Sequence, residues 1–260
     1  HLIASQFNLY QNQSSMDNTA TNTSNIIPFC SIVIPSYNEA SQIRSTLETI
    51  KAYMDSRNHK WEIIVVNDGS KDATEKIVKS FRLSEPRVQI VTIPHSGKGW
   101  AVKTGMHKAS GKLRFMCDAD LSMPINEIEK FFTTISKGCD IVIGSRELSE
   151  SKRFNEPKIR HFIGRVFNFF AKKVSLTNFN DTQCGFKCFK EVAADLIFPQ
   201  QASKGFAFDI EILKLAKKAN FRITEIPIVW YHKRPSKLKI HVDTIKMIKD
   251  TFLIAIRNNK

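Results

Sequence analysis

At 260 residues and 29.7 kDa, the chain is long enough to bury one sizeable core or two small ones. Its 39 Lys and Arg against 25 Asp and Glu give a formal charge of +14, which calls for an anionic partner: a nucleotide, a nucleic acid or an anionic membrane surface. No zinc-finger spacing or arginine-rich arm accompanies the charge, and no apolar run approaches 18 residues, so neither nucleic-acid reading nor a transmembrane span is expected.

The five cysteines (Cys30, Cys117, Cys139, Cys184 and Cys188) are an odd number, mostly set in apolar runs. They point to buried thiols in a reducing compartment. Cys184 and Cys188 are spaced to face one another on a helix, without further ligands to complete a zinc set. Residues 1–27 form a polar leader rich in Asn, Ser, Thr and Gln, expected to be largely disordered. The triplets at Asn12 and Asn22 fit glycosylation acceptors, but the cysteine pattern argues that they are chance matches. The chain opens on His1 and shows no signal peptide. That start is compatible with an upstream segment, including an anchor.

The first β-rich run is Phe29–Ile34, which Pro35 is expected to end. Asn38-Glu39-Ala40 should then open a helix carrying Ile43, Leu47 and Ile50 at 3.6-residue spacing. Trp61–Val66 is a second strand, followed by Asn67-Asp68-Gly69-Ser70 and by a helix start in which Asp72 precedes Glu75. Val88–Ile93 is a third strand, and a glycine turn around Gly97-Lys98-Gly99 leads into a helix of about ten residues. The fourth strand lies in KLRFMCDAD (residues 112–120) and ends on Asp118 and Asp120. Ile125–Ile135 is helical and Asp140–Gly144 a fifth strand.

After Arg146 the rhythm changes. Residues 147–158 read as an exposed, mobile loop, and 159–174 as a basic, Phe-rich amphipathic helix. Residues 180–189 form a compact loop-to-strand passage. Helices follow at 191–197 and 209–219, then one strand over 222–230, then an amphipathic tail over 238–256 with Lys239, Lys246, Lys249 and Arg257 among its apolar residues.

Repeated strand–helix alternation implies an α/β fold with a mostly parallel sheet and helices on both faces. In such folds ligands bind at the carboxyl ends of the strands. Four groups should converge there: Pro35 to Glu39, Asn67 to Ser70, Gly97 to Gly99, and Asp118 to Asp120. Two carboxylates one residue apart suit a divalent cation on a phosphorylated ligand; a helix cap plus a solvated acid is the alternative. Asp68 fits either a turn or N-cap, or an acceptor of hydrogen bonds from a base or sugar. Gly97 and Gly99 permit a close backbone approach with the Lys98 ammonium facing phosphate. Arg146 either assists the leaving group or is a surface arginine. Neither G-x-G-x-x-G nor a P-loop follows the first strand, which disfavours a dinucleotide cofactor.

VIPSYNEA, VVNDGSKDAT, GKGWAVKTGM, DADLS and DIVIGSR together resemble the nucleotide-sugar-binding half of inverting glycosyltransferases with a GT-A fold, a Rossmann-like arrangement. RHFIGRVFN, DTQCGFKCF, KGFAFDIEIL, IPIVW and PSKL narrow the resemblance to the dolichyl-phosphate (polyprenyl-phosphate) β-glucosyltransferases, near the dolichol-phosphate-mannose synthases. The resemblance covers about residues 29–240. It implies that Pro35, Tyr37, Glu39 and Asp68 hold the nucleoside, that Lys98 lies near uracil and ribose, and that Asp118-Ala119-Asp120 binds the diphosphate through Mg²⁺ or Mn²⁺. It further implies a catalytic set of Asp120, Arg146 and Asp181, with Arg160, Arg165, Ser236 and Lys237 near the acceptor phosphate. Leu121 departs from the DADG expected of the glucose enzymes and is closer to the mannose enzymes. The polar leader also differs from those enzymes' N-terminal anchor.

The expectation is therefore a polar leader (1–27), a GT-A domain (28–240) and a membrane-associated tail (241–260). The activity implied is transfer of glucose from UDP-glucose to dolichyl or polyprenyl phosphate with inversion. GDP-mannose is the alternative donor, and a non-catalytic sugar-nucleotide-binding or membrane-scaffold protein the alternative class. The place implied is the cytosolic face of a membrane: the endoplasmic reticulum in a eukaryote, the plasma membrane in a prokaryote.

Overall fold

The computed structural model describes residues 27–157, 164–165, 179–233 and 240–257. Seven strands form one sheet in the order β3-β2-β1-β4-β7-β5-β8. They are β1 (Cys30–Ser36), β2 (Trp61–Asp68), β3 (Val88–Ile93), β4 (Leu113–Met116), β5 (Ile141–Ser145), β7 (Lys187–Lys190) and β8 (Ile223–Pro227). All neighbours are parallel except β7, which runs antiparallel to both β4 and β5. A small parallel pair, β6 (Lys152–Phe154) with β9 (Val229–Tyr231), stands beside the main sheet.

The strand pleat sorts the core into two layers. Ile32, Ile34, Ile63 and Val65 face one side, where α1 (Ile43–Asp55), α2 (Thr74–Ser84) and α4 (Ile128–Ser136) cover them. Val33, Ile64 and Val66 face the other, under α3 (Lys98–Lys108), α5 (Glu191–Ile197) and α6 (Phe208–Lys218). Strands buried on both faces explain why β1 and β2 read as continuous apolar runs rather than alternations. A last helix, α7 (Ile240–Arg257), packs on α6, with Met247 against Ile210.

Several expected boundaries move. Pro35 does not end β1; it stays in register with Val66. The β4 ladder along β1 stops at Val33, so a residue without an N–H is tolerated beyond it. The first helix begins at Ile43 rather than near Asn38. The N–H groups of Asn38, Glu39 and Ala40 instead donate across to Ser70 Oγ, Thr74 Oγ1 and Asp72 Oδ2.

Residues 147–157 are not a featureless loop: they contain β6, and Arg153 there ion-pairs with both Glu147 and Glu156. The single strand expected over 222–230 is two strands in different sheets, broken after Pro227. Cys184 and Cys188 do not face each other on a helix, since Cys184 lies in a loop and Cys188 in β7. All five cysteines are free, and burial pushes the Cys184 thiol up to about 12. Of the helix expected over 159–174 only residues 164–165 are described, and they are helical; nearly all of the leader lies outside the described residues.

Candidate active site at the carboxyl edge of the sheet

The loops after β1, β2, β3 and β4 are tied together by hydrogen bonds, as the α/β layout requires. Asp68, buried at the end of β2, accepts from the backbone N–H groups of Ser96 (2.7 Å) and Gly97 (3.0 Å). His95 Nδ1 lies 2.9 Å from Asp68 Oδ2, and the His95 ring stacks on Tyr37 with centroids 4.2 Å apart. Asp68 thus anchors the β3–α3 turn through two charge-assisted bonds. This is the turn role, and a further partner must use the lone pairs that remain. Glu39 accepts from Gln42 Nε2 at 2.5 Å, beside the α1 entry.

Gly97 and Gly99 do permit a close approach, but of the chain's own backbone. A Cβ on Gly97 (φ +105°) would sit 2.6 Å from the Lys204 carbonyl oxygen, and one on Gly99 2.6 Å from that of Ser203. Buried Glu211 holds that same segment by accepting from the N–H groups of Ala202 and Ser203. The glycines therefore seat the 201–205 loop against the start of α3.

Between them, Lys98 points its ammonium at Asp118, with Nζ 2.6 Å from Oδ1. Burial pulls the Lys98 pKa down, but Asp118, Asp209 and Asp120 outweigh it and the net shift is upward, so the ammonium stays charged. Asp120 turns the chain: Oδ1 accepts from the Ser122 N–H and Oδ2 from the Ser122 hydroxyl, both at 2.8 Å. The Ala119 carbonyl between the two acids accepts from Thr46 Oγ1 at 2.6 Å. Leu121, the next residue, is buried and holds φ +46°, a left-handed conformation uncommon for a branched side chain. A cleft of about 860 Å³ opens beside Asp120, lined by Gln42, Thr46, Tyr53, Leu121, Tyr231 and Lys233, among others.

The passage from Asn180 to Lys187 is the hub of the site. At its start Asp181 accepts a fork from Arg146, Nε at 2.6 Å and Nη2 at 2.9 Å, plus the Arg146 N–H at 3.0 Å. Burial pushes the Asp181 carboxyl up, yet the guanidinium beside it brings it down to about 2. Glu225 of β8 braces this turn by accepting from the N–H groups of Asn180 and Asp181. Midway, Gly185 backs onto Asp118: a Cβ there would lie 2.1 Å from Oδ2, so only glycine lets the carboxylate occupy its place. At the end, fully buried Lys187 forms an ion pair with buried Asp209 of α6 at 2.6 Å and donates to the Cys184 carbonyl.

Sequence reasoning misses His95, Gly185, Lys187 and Asp209, although DTQCGFKCF and KGFAFDIEIL are among the motifs that carry the resemblance. Arg165 is exposed, while Arg160, Ser236 and Lys237 fall outside the described residues. Among the described residues no cluster of three or more His, Cys, Asp or Glu can hold a metal ion. The hard carboxylates of Asp118 and Asp120 are a donor set that suits Mg²⁺ or Mn²⁺ shared with phosphate oxygens and water. That Asp118 already holds a positive charge, the Lys98 ammonium, fits this reading.

The family model "Glycosyl transferase family 2" matches residues 31–198, which span β1 through α5 and thus every acidic group above except Asp209, Glu211 and Glu225. A dolichyl-phosphate beta-glucosyltransferase of Trichomonas vaginalis is 37% identical over 241 residues, covering 88% of this chain and 71% of the relative. The chain belongs to glycosyl transferase family 2, among the dolichyl-phosphate beta-glucosyltransferases. The Saccharomyces cerevisiae member is 35% identical, covering 88% of this chain and 74% of its own, and the human member 30%, covering 87% and 75%.

Solved structures agree on the GT-A glycosyltransferase fold. Glucosyl-3-phosphoglycerate synthase of Mycobacterium tuberculosis in complex with phosphoglyceric acid superposes with a TM-score of 0.67 at 17% identity, covering 88% of this chain and 80% of that one. The complex of the same synthase with Mn²⁺, uridine diphosphate and glucosyl-3-phosphoglycerate gives 0.61 at 15%, covering 92% and 86%. This glycosyltransferase therefore carries its two acids at the sheet edge where the fold class binds its ligands.

Proposed function

We propose that this glycosyltransferase transfers glucose from UDP-glucose to dolichyl phosphate, forming a β-linked lipid phosphate. The observation that supports it most directly is the site geometry: Lys98–Asp118, Asp120 and Arg146–Asp181 are brought to one sheet edge by the 180–187 passage. The relatives' names supply the acceptor and the sugar.

The acceptor phosphate is already anionic at neutral pH, so one of its oxygens attacks the anomeric carbon without a strong base. The bond from that carbon to the diphosphate oxygen breaks, its electron pair leaving with UDP, and in-line displacement turns the α linkage into β. The protein's work is to align two anions and offset their charge. Tyr37, Glu39 and Asp68 line the nucleoside end with Pro35 behind them, Lys98 faces the diphosphate, and Arg146 is oriented by Asp181 toward the reacting centre. Asp118 and Asp120 would hold a Mg²⁺ or Mn²⁺, which when bound neutralises charge on the diphosphate. Arg160, Arg165, Ser236 and Lys237 are assigned to the acceptor phosphate.

The protein is assigned to the cytosolic face of the endoplasmic reticulum membrane. No helix among the described residues is long and apolar enough to cross a membrane. α7 offers instead an outward face of Ile248 (46% exposed), Phe252 (59%), Leu253 (53%) and Ile256 (52%), next to Lys249, while Met247, Thr251 and Ile254 are buried. Such a face suits an interfacial helix on anionic lipid.

The deciding experiment is radiolabel transfer from UDP-glucose, GDP-mannose and UDP-N-acetylglucosamine to a short polyprenyl phosphate. UDP-glucose alone should yield a labelled, metal-dependent lipid product, and Asp118→Asn should abolish it. Transfer from GDP-mannose instead would overturn the donor assignment, and no transfer from any donor would overturn the activity.

A further inference from the structure

Lys98 sits on a rigid base. Its backbone opens α3 between two glycines packed against the 203–205 segment, so the ammonium reaches Asp118 from a defined position. Asp118 is equally confined, because Gly185 lies directly behind its carboxylate. About a third of the Asp118 side chain is nevertheless exposed, so a cation arriving from solvent has access to it.

We propose that Lys98 is a built-in counter-ion that makes cation loading depend on the nucleotide: its ammonium occupies Asp118 in the free protein, and a diphosphate releases that carboxylate by offering the ammonium another anion. The proposal rests on the site reading above and deepens it. It keeps Lys98 at the diphosphate, as proposed above, rather than at the uracil and ribose that the resemblance implies.

Charge balance supports it. Three carboxylates, Asp118, Asp120 and Asp209, face two ammonium groups, Lys98 and Lys187, so the pocket carries one negative charge. A divalent ion alone would overshoot to positive and force two cations onto Asp118 at short range, a repulsion that is costly in a half-buried site. An ion arriving with the two negative charges of a diphosphate diester leaves the balance unchanged. Lys187 cannot take over the role of Lys98, because its ammonium is spent on Asp209 and the Cys184 carbonyl.

The test is Mn²⁺ binding to the full chain, read by the electron paramagnetic resonance of free Mn²⁺, without nucleotide and with UDP after correction for Mn²⁺–UDP in buffer. Wild type should bind Mn²⁺ weakly alone and at least about tenfold more tightly with UDP. Lys98→Met and Lys98→Gln should bind Mn²⁺ alone roughly tenfold more tightly than wild type, the size of a charge coupling worth about one pKa unit. Lys98→Arg, which keeps the charge, should behave as wild type. Neutral variants that bind Mn²⁺ alone no more tightly than wild type would overturn the proposal while leaving the site reading intact. A wild type that gains no Mn²⁺ with UDP would instead overturn the site reading.

An independent arm covers the case in which the neutral variants do not fold. Asp118→Asn frees the ammonium, so calorimetry should show metal-free UDP binding severalfold tighter than in wild type. An unchanged or weaker affinity there refutes the counter-ion role.

Discussion

Replacing Asp181 with Asn removes one charge and almost no volume, and its cost can be worked from the contacts. The carboxylate takes three bonds from Arg146 within 3.0 Å and a fourth from the Gln183 N–H at 3.2 Å. Its pKa falls from the usual 3.8 to about 2, a difference worth about 2.5 kcal/mol of stability at neutral pH. An amide keeps some of the bonds but leaves the guanidinium without an anion, for which losses of about 3–5 kcal/mol are typical. We expect Asp181→Asn to lose about 3 kcal/mol, a drop in melting temperature of roughly 6–12 °C for a chain of this size.

The pH dependence separates this charge effect from packing. Because the folded pKa lies below the unfolded one, the contribution is complete above about pH 4 and disappears as pH falls through about 2. Urea unfolding of both proteins at pH 7, 5, 4 and 3 should therefore show a gap that is constant down to pH 5 and narrower by pH 3. A gap below about 1 kcal/mol at pH 7, or one that does not narrow, would refute the reasoning.

Gly185→Ala should displace Asp118, since the new methyl would meet its carboxylate at 2.1 Å. UDP-dependent Mn²⁺ binding is expected to fall at least about tenfold with circular dichroism unchanged, as an effect on metal but not on fold requires. Leu121→Gly relieves a left-handed backbone costing about 1 kcal/mol but forfeits about 2 kcal/mol of burial and adds chain entropy. Its melting temperature should drop by a few degrees, and a rise would show that the strain outweighs the packing. The double variant Phe252→Glu, Leu253→Glu alters only the exposed face of α7. It should lose most sedimentation with anionic liposomes at an unchanged melting temperature, and equal sedimentation would remove α7 from the membrane contact.

Composition and period were enough for the skeleton. β1, β2 and β3 appear within two residues of their expected places, because apolar strands bounded by Asn, Asp, Gly and Pro are a short-range signal. The order of acids, glycines and Lys98 after those strands, together with the motifs beyond, was also sufficient to place the chain in its family. What lay beyond reach were pairings between distant residues. Nothing local says that Gly97 and Gly99 receive the 203–205 backbone rather than phosphate, or that Asp68 is taken up by Ser96 and Gly97. The β6–β9 pair joins residues more than 70 positions apart and hid inside what reads as a polar loop.

Asp118 and Asp120 show the division most clearly. That they follow directly on a buried strand is legible in the sequence, since a run such as LRFMC must leave water and two carboxylates must return to it; the strand itself stops at Met116. That Asp118 faces Lys98, with Gly185 at its back and the Lys187–Asp209 pair behind, is a matter of tertiary structure. Electrostatic partners are chosen by distance in space, and four segments of the chain meet there only once the sheet has closed around β7.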